Sequence, residues 1–401
     1  MTFSQGFLDT EATHLAHNYA PLPVVLARGE GSWVYDVDGR AYLDFLAGYS
    51  ALNFGHQNPR LIAAARHQLE TLTLTSRAFR SDRLAPFAKA LTALCGKESM
   101  LPMNTGAEAV ETAIKIARKW GYVRKGVGHD RAKIIVSDGN FHGRTTTIVS
   151  FSSDEDARTG FGPYTPGFVS IPFGDAAALE AAIDEDTVAF VLEPIQGEAG
   201  VILPPDGWLR DVRRICSDNE VLMIADEIQS GLGRSGATFA CDLEDVTPDV
   251  YILGKALGGG ILPVSAVVAN WDIMSVLSPG QHGSTFGGNP LGAAVGLEVV
   301  EILGEGEIQA RTVELGRIFA DGLASIAAES RAIADIRVRG LWAGVDIAAG
   351  GPTGKEVTTR LASNGVLAKE THGRTIRFSP PLTISGGDLA LGLERIAQSL
   401  A

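Results

Sequence analysis

Between about residues 99 and 269 the chain repeats one pattern: a short apolar, β-rich run followed by a stretch with helical periodicity. The runs fall at residues 133–137, 168–172, 188–192, 221–225, 250–253 and 264–269; helical stretches between them include 107–120, 176–183 and 208–217. Runs apolar at every position, not at alternate ones, belong to strands covered on both faces. The pattern predicts an α/β fold with a mostly parallel sheet between helices. Such sheets bind ligands at the carboxyl ends of their strands. The residues just after each run are therefore where chemistry is sought.

The flanks read differently. Residues 32–46 give strand, an Asp38-Gly39 turn and strand, which is a hairpin signal. Helical patterning follows at 59–74 and 84–94. From about 305 the texture becomes long helix, strands around 333–347, helix, strands within 366–378 and a final helix, a smaller α+β domain. The expected division is 1–50 as an N-terminal segment whose hairpin packs with the small domain, 51–304 as the large domain and 305–401 as the small one.

The 401 residues are 45% hydrophobic and 20% charged, and 34 Lys+Arg against 47 Asp+Glu give a net charge of −13. An acidic chain without a basic cluster is a poor binder of nucleic acid or anionic membrane, so small anionic ligands must be caught by local features. Cys95, Cys216 and Cys241 are far apart and fit neither a zinc spacing nor a disulfide framework, and no metal site is expected. A reducing compartment follows. With neither an apolar leader nor a run long enough to span a bilayer, the expectation is a cytoplasmic protein.

Lys255 follows the run 250–253 and enters Ala256-Leu257-Gly258-Gly259-Gly260. A lysine there is held at the ligand edge of the sheet, where desolvation makes its amine nucleophilic. Taken alone it also reads as a solvated surface lysine. Asp226 ends the run 221–225, in Ala225-Asp226-Glu227-Ile228-Gln229, 29 residues earlier (255 − 226). It reads either as a helix cap or as a carboxylate that keeps a pyridine nitrogen protonated. Asn104-Thr105-Gly106-Ala107-Glu108-Ala109 opens a helix. Its free amides suit a phosphate, and Thr105 with Glu108 equally suits a capping box.

His282-Gly283-Ser284-Thr285-Phe286-Gly287-Gly288-Asn289-Pro290 sets hydroxyls beside glycines, as a phosphate contact or a plain connector. In Phe141-His142-Gly143-Arg144 the phenylalanine could stack on a planar ring and the arginine could fork onto a carboxylate, while His142 alone reads as a packed histidine. Glu193 and Glu198 follow another strand, and Arg377 sits between apolar residues in Ile376-Arg377-Phe378, where a buried charge calls for a partner.

Together these segments resemble the fold-type I pyridoxal-5′-phosphate (PLP) enzymes of the class III, or subgroup II, aminotransferases, over nearly the whole chain. Tyr19 in His17-Asn18-Tyr19-Ala20-Pro21, Tyr49 in Gly48-Tyr49-Ser50-Ala51, and residues 74–79 look most like the ornithine-specific branch. His142 stands where many members carry tryptophan, and Arg80 where tyrosine is common.

The resemblance implies a PLP-dependent transfer of the δ-amino group of ornithine to 2-oxoglutarate; acetylornithine, 4-aminobutyrate or another ω-amino acid is the alternative donor. It implies that Lys255 bonds the cofactor and shuttles a proton, Asp226 pairs with its ring nitrogen and Gln229 with its phenolic oxygen. Gly106 and Ala107 amides hold the phosphate, with Thr285 supplied by a partner subunit, and Phe141 and His142 lie against the cofactor. Tyr19, Tyr49, Arg144, Glu193, Glu198 and Arg377 face the substrate, with Glu198 covering Arg377 while ornithine is bound. A homodimer follows from the shared site. A PLP-binding scaffold without activity is the reading from another class, and it would be expected to lose Lys255 or Asp226; a nucleotide-binding sheet lacks its glycine signature here.

Overall fold

The computed structural model describes residues 3–400. Its strands, in chain order, begin with β1 (Leu26–Glu30), β2 (Trp33–Asp36) and β3 (Ala41–Asp44). Next come β4 (Ser99–Met103), β5 (Lys133–Ser137), β6 (Phe168–Ile171), β7 (Thr187–Leu192), β8 (Leu222–Asp226), β9 (Val250–Leu253) and β10 (Ser265–Ala269). The last five are β11 (Ile333–Val338), β12 (Ala343–Ile347), β13 (Val366–Leu367), β14 (Lys369–Thr371) and β15 (Thr375–Phe378).

The central sheet has seven strands in the order β4-β10-β9-β8-β7-β5-β6. Pairings from β9 through β6 are parallel; β10 runs antiparallel to both β9 and β4. Every residue of β7, β8, β9 and β10 is buried, as their unbroken apolar runs require. One face of the sheet, with Ile134, Val191, Ile224 and Ile252, packs on Ala113 and Ile114 of the helix Gly106–Trp120. The other face, with Ile135, Phe190 and Met223, packs on Val212 and Ile215 of the helix Trp208–Asp218. Gly121, just past the first helix, must lack a side chain: a Cβ there would lie 2.2 Å from a methyl of Val188.

Two strands stand where the sequence pattern did not place them. β4 is an edge strand that tolerates Pro102, since an edge position leaves one side without ladder partners. β1, Leu-Ala-Arg-Gly-Glu, is mostly exposed and shows no alternation to read. The helix begun at Pro59 ends at Leu69, short of 74, before the stretch Thr71-Leu72-Thr73.

The N-terminal hairpin forms a four-stranded sheet, β1-β2-β3-β13, in which β13 from the C-terminal region pairs in parallel with β3. The third sheet has the order β11-β12-β15-β14, all antiparallel, and places Arg377 within β15. Cys95, Cys216 and Cys241 are buried and free. Among the described residues no helix is long and apolar enough to cross a membrane.

Candidate active site

β8 and β9 are neighbours in the sheet, and their carboxyl ends deliver Asp226 and Lys255 to one cavity of about 190 Å³. Lys255 has φ +45° and opens a short 3₁₀ turn, Lys255–Gly258. That is a left-handed conformation which a side chain rarely adopts. Gly260 continues the turn, and a Cβ on it would lie 2.3 Å from Leu52. Burial pulls the Lys255 ammonium below its usual range, against the opposing charges of Glu198, Asp226 and Glu193. A larger neutral fraction leaves more of the amine available as nucleophile or base at neutral pH.

Asp226 is 5% exposed. Its Oδ1 accepts the amide of Ile228 at 3.1 Å, and its Oδ2 lies 2.6 Å from Nδ1 of His142. His142 is buried as well, and its Nε2 has no partner. Burial alone would lower the His142 pKa, but the Asp226 hydrogen bond with the charges of Asp226 and Glu193 raises it. His142, which alone reads as a packed or wet histidine and by the resemblance as a neighbour of the cofactor, is the direct partner of Asp226. The separation of 84 positions gave no local signal for that contact.

Glu193 follows β7 and accepts the amides of Phe141 at 3.0 Å and Gly197 at 3.4 Å. Burial pushes its carboxyl up to about 7. The helix Gly106–Trp120 points its N-terminus into the same cavity through Gly106 and Ala107. The Thr105–Glu108 capping box is formed, with Glu108 accepting the amides of Asn104 and Thr105. With Glu108 and Ala109 amides donating to Thr105, the amides of Gly106 and Ala107 are left for an anion. Phe141, His142, Glu193, Asp226, Gln229 and Lys255 line the cavity with them.

A second cluster lies beside it. Arg377, 4% exposed, forms an ion pair with Glu198 at 2.7 Å, and its guanidinium lies 5.1 Å from the Tyr49 ring centre. Burial favours a neutral Glu198, but Arg377 overcomes it and holds the carboxyl below its usual range. Gln229 joins the two clusters, donating to the carbonyl of Tyr49 at 3.4 Å. Arg144 is exposed at 5.8 Å from the Phe141 ring centre, Thr285 is exposed, and Tyr19 is 81% exposed. These three stand outside the cavity wall of the single chain. Ser284, next to Thr285, accepts from the Asn104 side chain at 2.9 Å, which ties that loop to the helix start.

Comparison with known proteins agrees with this geometry. The aminotransferase class-III family profile matches residues 14–400. The ornithine aminotransferase of Brevibacillus brevis is 52% identical over 96% of this chain and 95% of its own length. That of Bacillus subtilis is 49% identical over 99% and 98%. Among solved structures, the ornithine aminotransferase of Toxoplasma gondii superposes with a TM-score of 0.98 at 43% identity, covering 100% of this chain and 95% of that one. The acetylornithine aminotransferase of Elizabethkingia anophelis reaches 0.91, also at 43% identity, covering 100% and 99%. With the family profile spanning almost the whole sequence and the cavity built at the expected strand ends, the chain belongs to the class III aminotransferases.

Proposed function

We propose that the chain is a PLP-dependent aminotransferase that moves the δ-amino group of ornithine to 2-oxoglutarate, giving glutamate and glutamate-5-semialdehyde, which cyclises to pyrroline-5-carboxylate. The observation that carries the substrate is the pair of part-buried Glu198 with buried Arg377 at 2.7 Å beside Tyr49. The names of the bacterial relatives at about half identity support the same donor.

The cavity residues fit the cofactor. Lys255 supplies a desolvated amine, Asp226 a carboxylate hydrogen-bonded by His142, and Gly106 and Ala107 a helix N-terminus for a phosphate. Gln229 and Phe141 complete the walls, for the phenolic oxygen and the ring face. PLP, when bound, supplies an electron sink that acidifies the carbon bearing the amine. Lys255 Nζ is the base that takes and returns that proton. Asp226 would pair with the protonated ring nitrogen, and His142 holds Oδ2 of Asp226 at 2.6 Å.

The second cluster sorts substrates. Ornithine carries two amines, and only the δ-amine must reach Lys255. While Glu198 neutralises Arg377, the α-carboxylate of ornithine has no anchor near the cavity, and the δ-amine enters. The oxo acid needs the arginine free, so Glu198 turns away in the second half-reaction. Tyr19 and Arg144 read the α-substituents from the mouth of the site, and Glu193 borders the substrate side.

Thr285 stands outside its own cavity, which supports a homodimer in which it reaches the phosphate held by the neighbouring chain. The pairing of β13 with β3 supports a small domain made of residues 1–50 and 305–401 around a large domain, 51–304. A cytoplasmic setting fits the three free thiols. The deciding experiment is a donor panel with 2-oxoglutarate as acceptor, read as glutamate formed. Ornithine is expected to outrun N-acetylornithine and 4-aminobutyrate; faster turnover of N-acetylornithine would overturn the substrate assignment.

A further inference from the structure

The loop that carries Glu198 is closed at its base by a bridge between Gln196 and Ile202 and by the Gly200 and Val201 amides, which donate to the Gly197 carbonyl, while Arg337 holds the Gly200 carbonyl. Gly197 and Gly200 flank the residue; Gly200 has φ +115°, and a Cβ on Gly197 would lie 1.8 Å from Oε1 of Gln229. Glycine on both sides gives the backbone between them wide freedom. Within that frame the carbonyl of Glu198 itself is gripped from outside the loop.

That grip comes from β14. Thr371 Oγ1 donates to the carbonyl oxygen of Glu198 at 2.7 Å. β14 pairs antiparallel with β15, with Lys369 opposite Arg377 and Thr371 opposite Thr375. Two residues along from Thr371 and on the same face of the strand, Lys369 donates to the carbonyl of Ala20 at 3.3 Å, next to Tyr19. From the other face, Glu370 accepts from Thr358 in the helix Gly354–Ser363 and so fixes the strand from behind. One three-residue edge strand thus touches the loop of Glu198, the strand of Arg377 and the segment of Tyr19.

We propose that Thr371 is a positioning residue for substrate selection, acting through the main chain of Glu198 to set how readily that carboxylate leaves Arg377. This rests on the reading of the Glu198–Arg377 pair given above. With the hydroxyl bond made, the glycine-flanked loop sits where the carboxylate reaches the guanidinium. Without it the carbonyl must find another donor, the Glu198 peptide between the two glycines is less restrained and the pair opens more often. An open Arg377 favours the dicarboxylic oxo acid and penalises the diamino acid. The effect is a redistribution between two half-reactions, not a general loss of activity.

The test is stopped-flow measurement of both half-reactions on the holoenzyme. Thr371→Val removes the hydroxyl at nearly constant shape. The ratio of the second-order rate constant with 2-oxoglutarate to that with ornithine is expected to rise about three- to ten-fold, the effect of one neutral hydrogen bond. Thr371→Ser restores the donor and should return the ratio to within about two-fold of wild type. A shift in the valine variant that serine fails to reverse would assign the effect to packing and overturn the proposal. Glu198→Ala is run in parallel. If it shifts the ratio and Thr371→Val does not, the pair selects substrates but Thr371 has no part in it. If Glu198→Ala shifts nothing, the reading of the pair itself fails, and this proposal with it.

Discussion

Nδ1 of His142 and Oδ2 of Asp226 approach to 2.6 Å with both side chains buried. Hydrogen bonds to charged groups are among the stronger ones, and this one fixes the orientation of the Asp226 carboxyl group. The His142 pKa is raised, so the charged pair contributes stability fully below the ordinary histidine range and loses it as pH rises through the raised value. His142→Phe keeps a ring without a donor. It should lower kcat/KM about ten-fold or more and should remove from the pH–rate profile the limb set by loss of the His142 proton, above the ordinary histidine range. A profile superimposable on the wild type would show that Asp226 does not depend on His142.

Glu193 gives a pH dependence of its own. Its carboxyl is pushed up to about 7 from an ordinary 4.5, mainly by burial. Between those values the folded chain holds a proton that the unfolded chain has released, so stability falls as pH rises from about 4.5 to 7 and levels off above. Glu193→Gln cannot ionise. Urea melts at pH 5 and pH 8 should show the wild type losing more stability between the two than the variant. Equal losses would place the titrating group elsewhere.

The shared-site arrangement can be tested by mixing two inactive chains. Lys255→Ala removes the buried amine and should fold normally, with turnover down about 100-fold or more. Thr285→Asp puts a negative charge where a phosphate is proposed to sit. In a mixed dimer, the site on the Thr285→Asp chain would draw its lysine from itself and its threonine from the other subunit. Co-refolding the two variants should restore activity above either alone. No recovery, with mixed dimers confirmed by mass, would mean that each site is built from one chain.

Arg234 is wholly buried with no carboxylate among its hydrogen-bond partners. It donates to the carbonyls of Leu341 at 3.0 Å and Pro380 at 2.7 Å and to the side chain of Asn53 at 2.6 Å. Burial lowers its pKa to about 9, which still leaves it charged at neutral pH. Arg234→Met would strand three acceptors and should destabilise the chain by about 3–5 kcal/mol in chemical denaturation. Arg234→Lys should recover only part, because a single ammonium cannot span the three.

The alternation of apolar runs and helices placed the central sheet, and the polar residues after each run placed Lys255, Asp226 and Glu193 at its ligand edge. What stayed hidden was set by contacts between distant segments. Arg234 lies in Gly233-Arg234-Ser235, which reads as an exposed turn until Asn53, Leu341 and Pro380 close over it. Thr371 falls within the expected strands of 366–378, but its hydrogen bond to Glu198 spans 173 positions and leaves no local signal. The reversed direction of β10 leaves no trace in a run that is buried on both faces either way.

The pairing of β13 with β3 has a consequence for synthesis. Asp44 ends β3 and Val366 begins β13, so 321 residues lie between them (366 − 44 − 1). At about 5–20 residues per second, β3 waits roughly 16 to 64 seconds for its partner to emerge from the ribosome. Through that interval Tyr42 and Leu43, both buried in the finished protein, have an unpaired backbone edge beside them. Closing so long a loop is slow, and an open apolar edge is a template for the wrong strand. The β3 edge made early in synthesis is thus covered only by a strand from the last tenth of the chain.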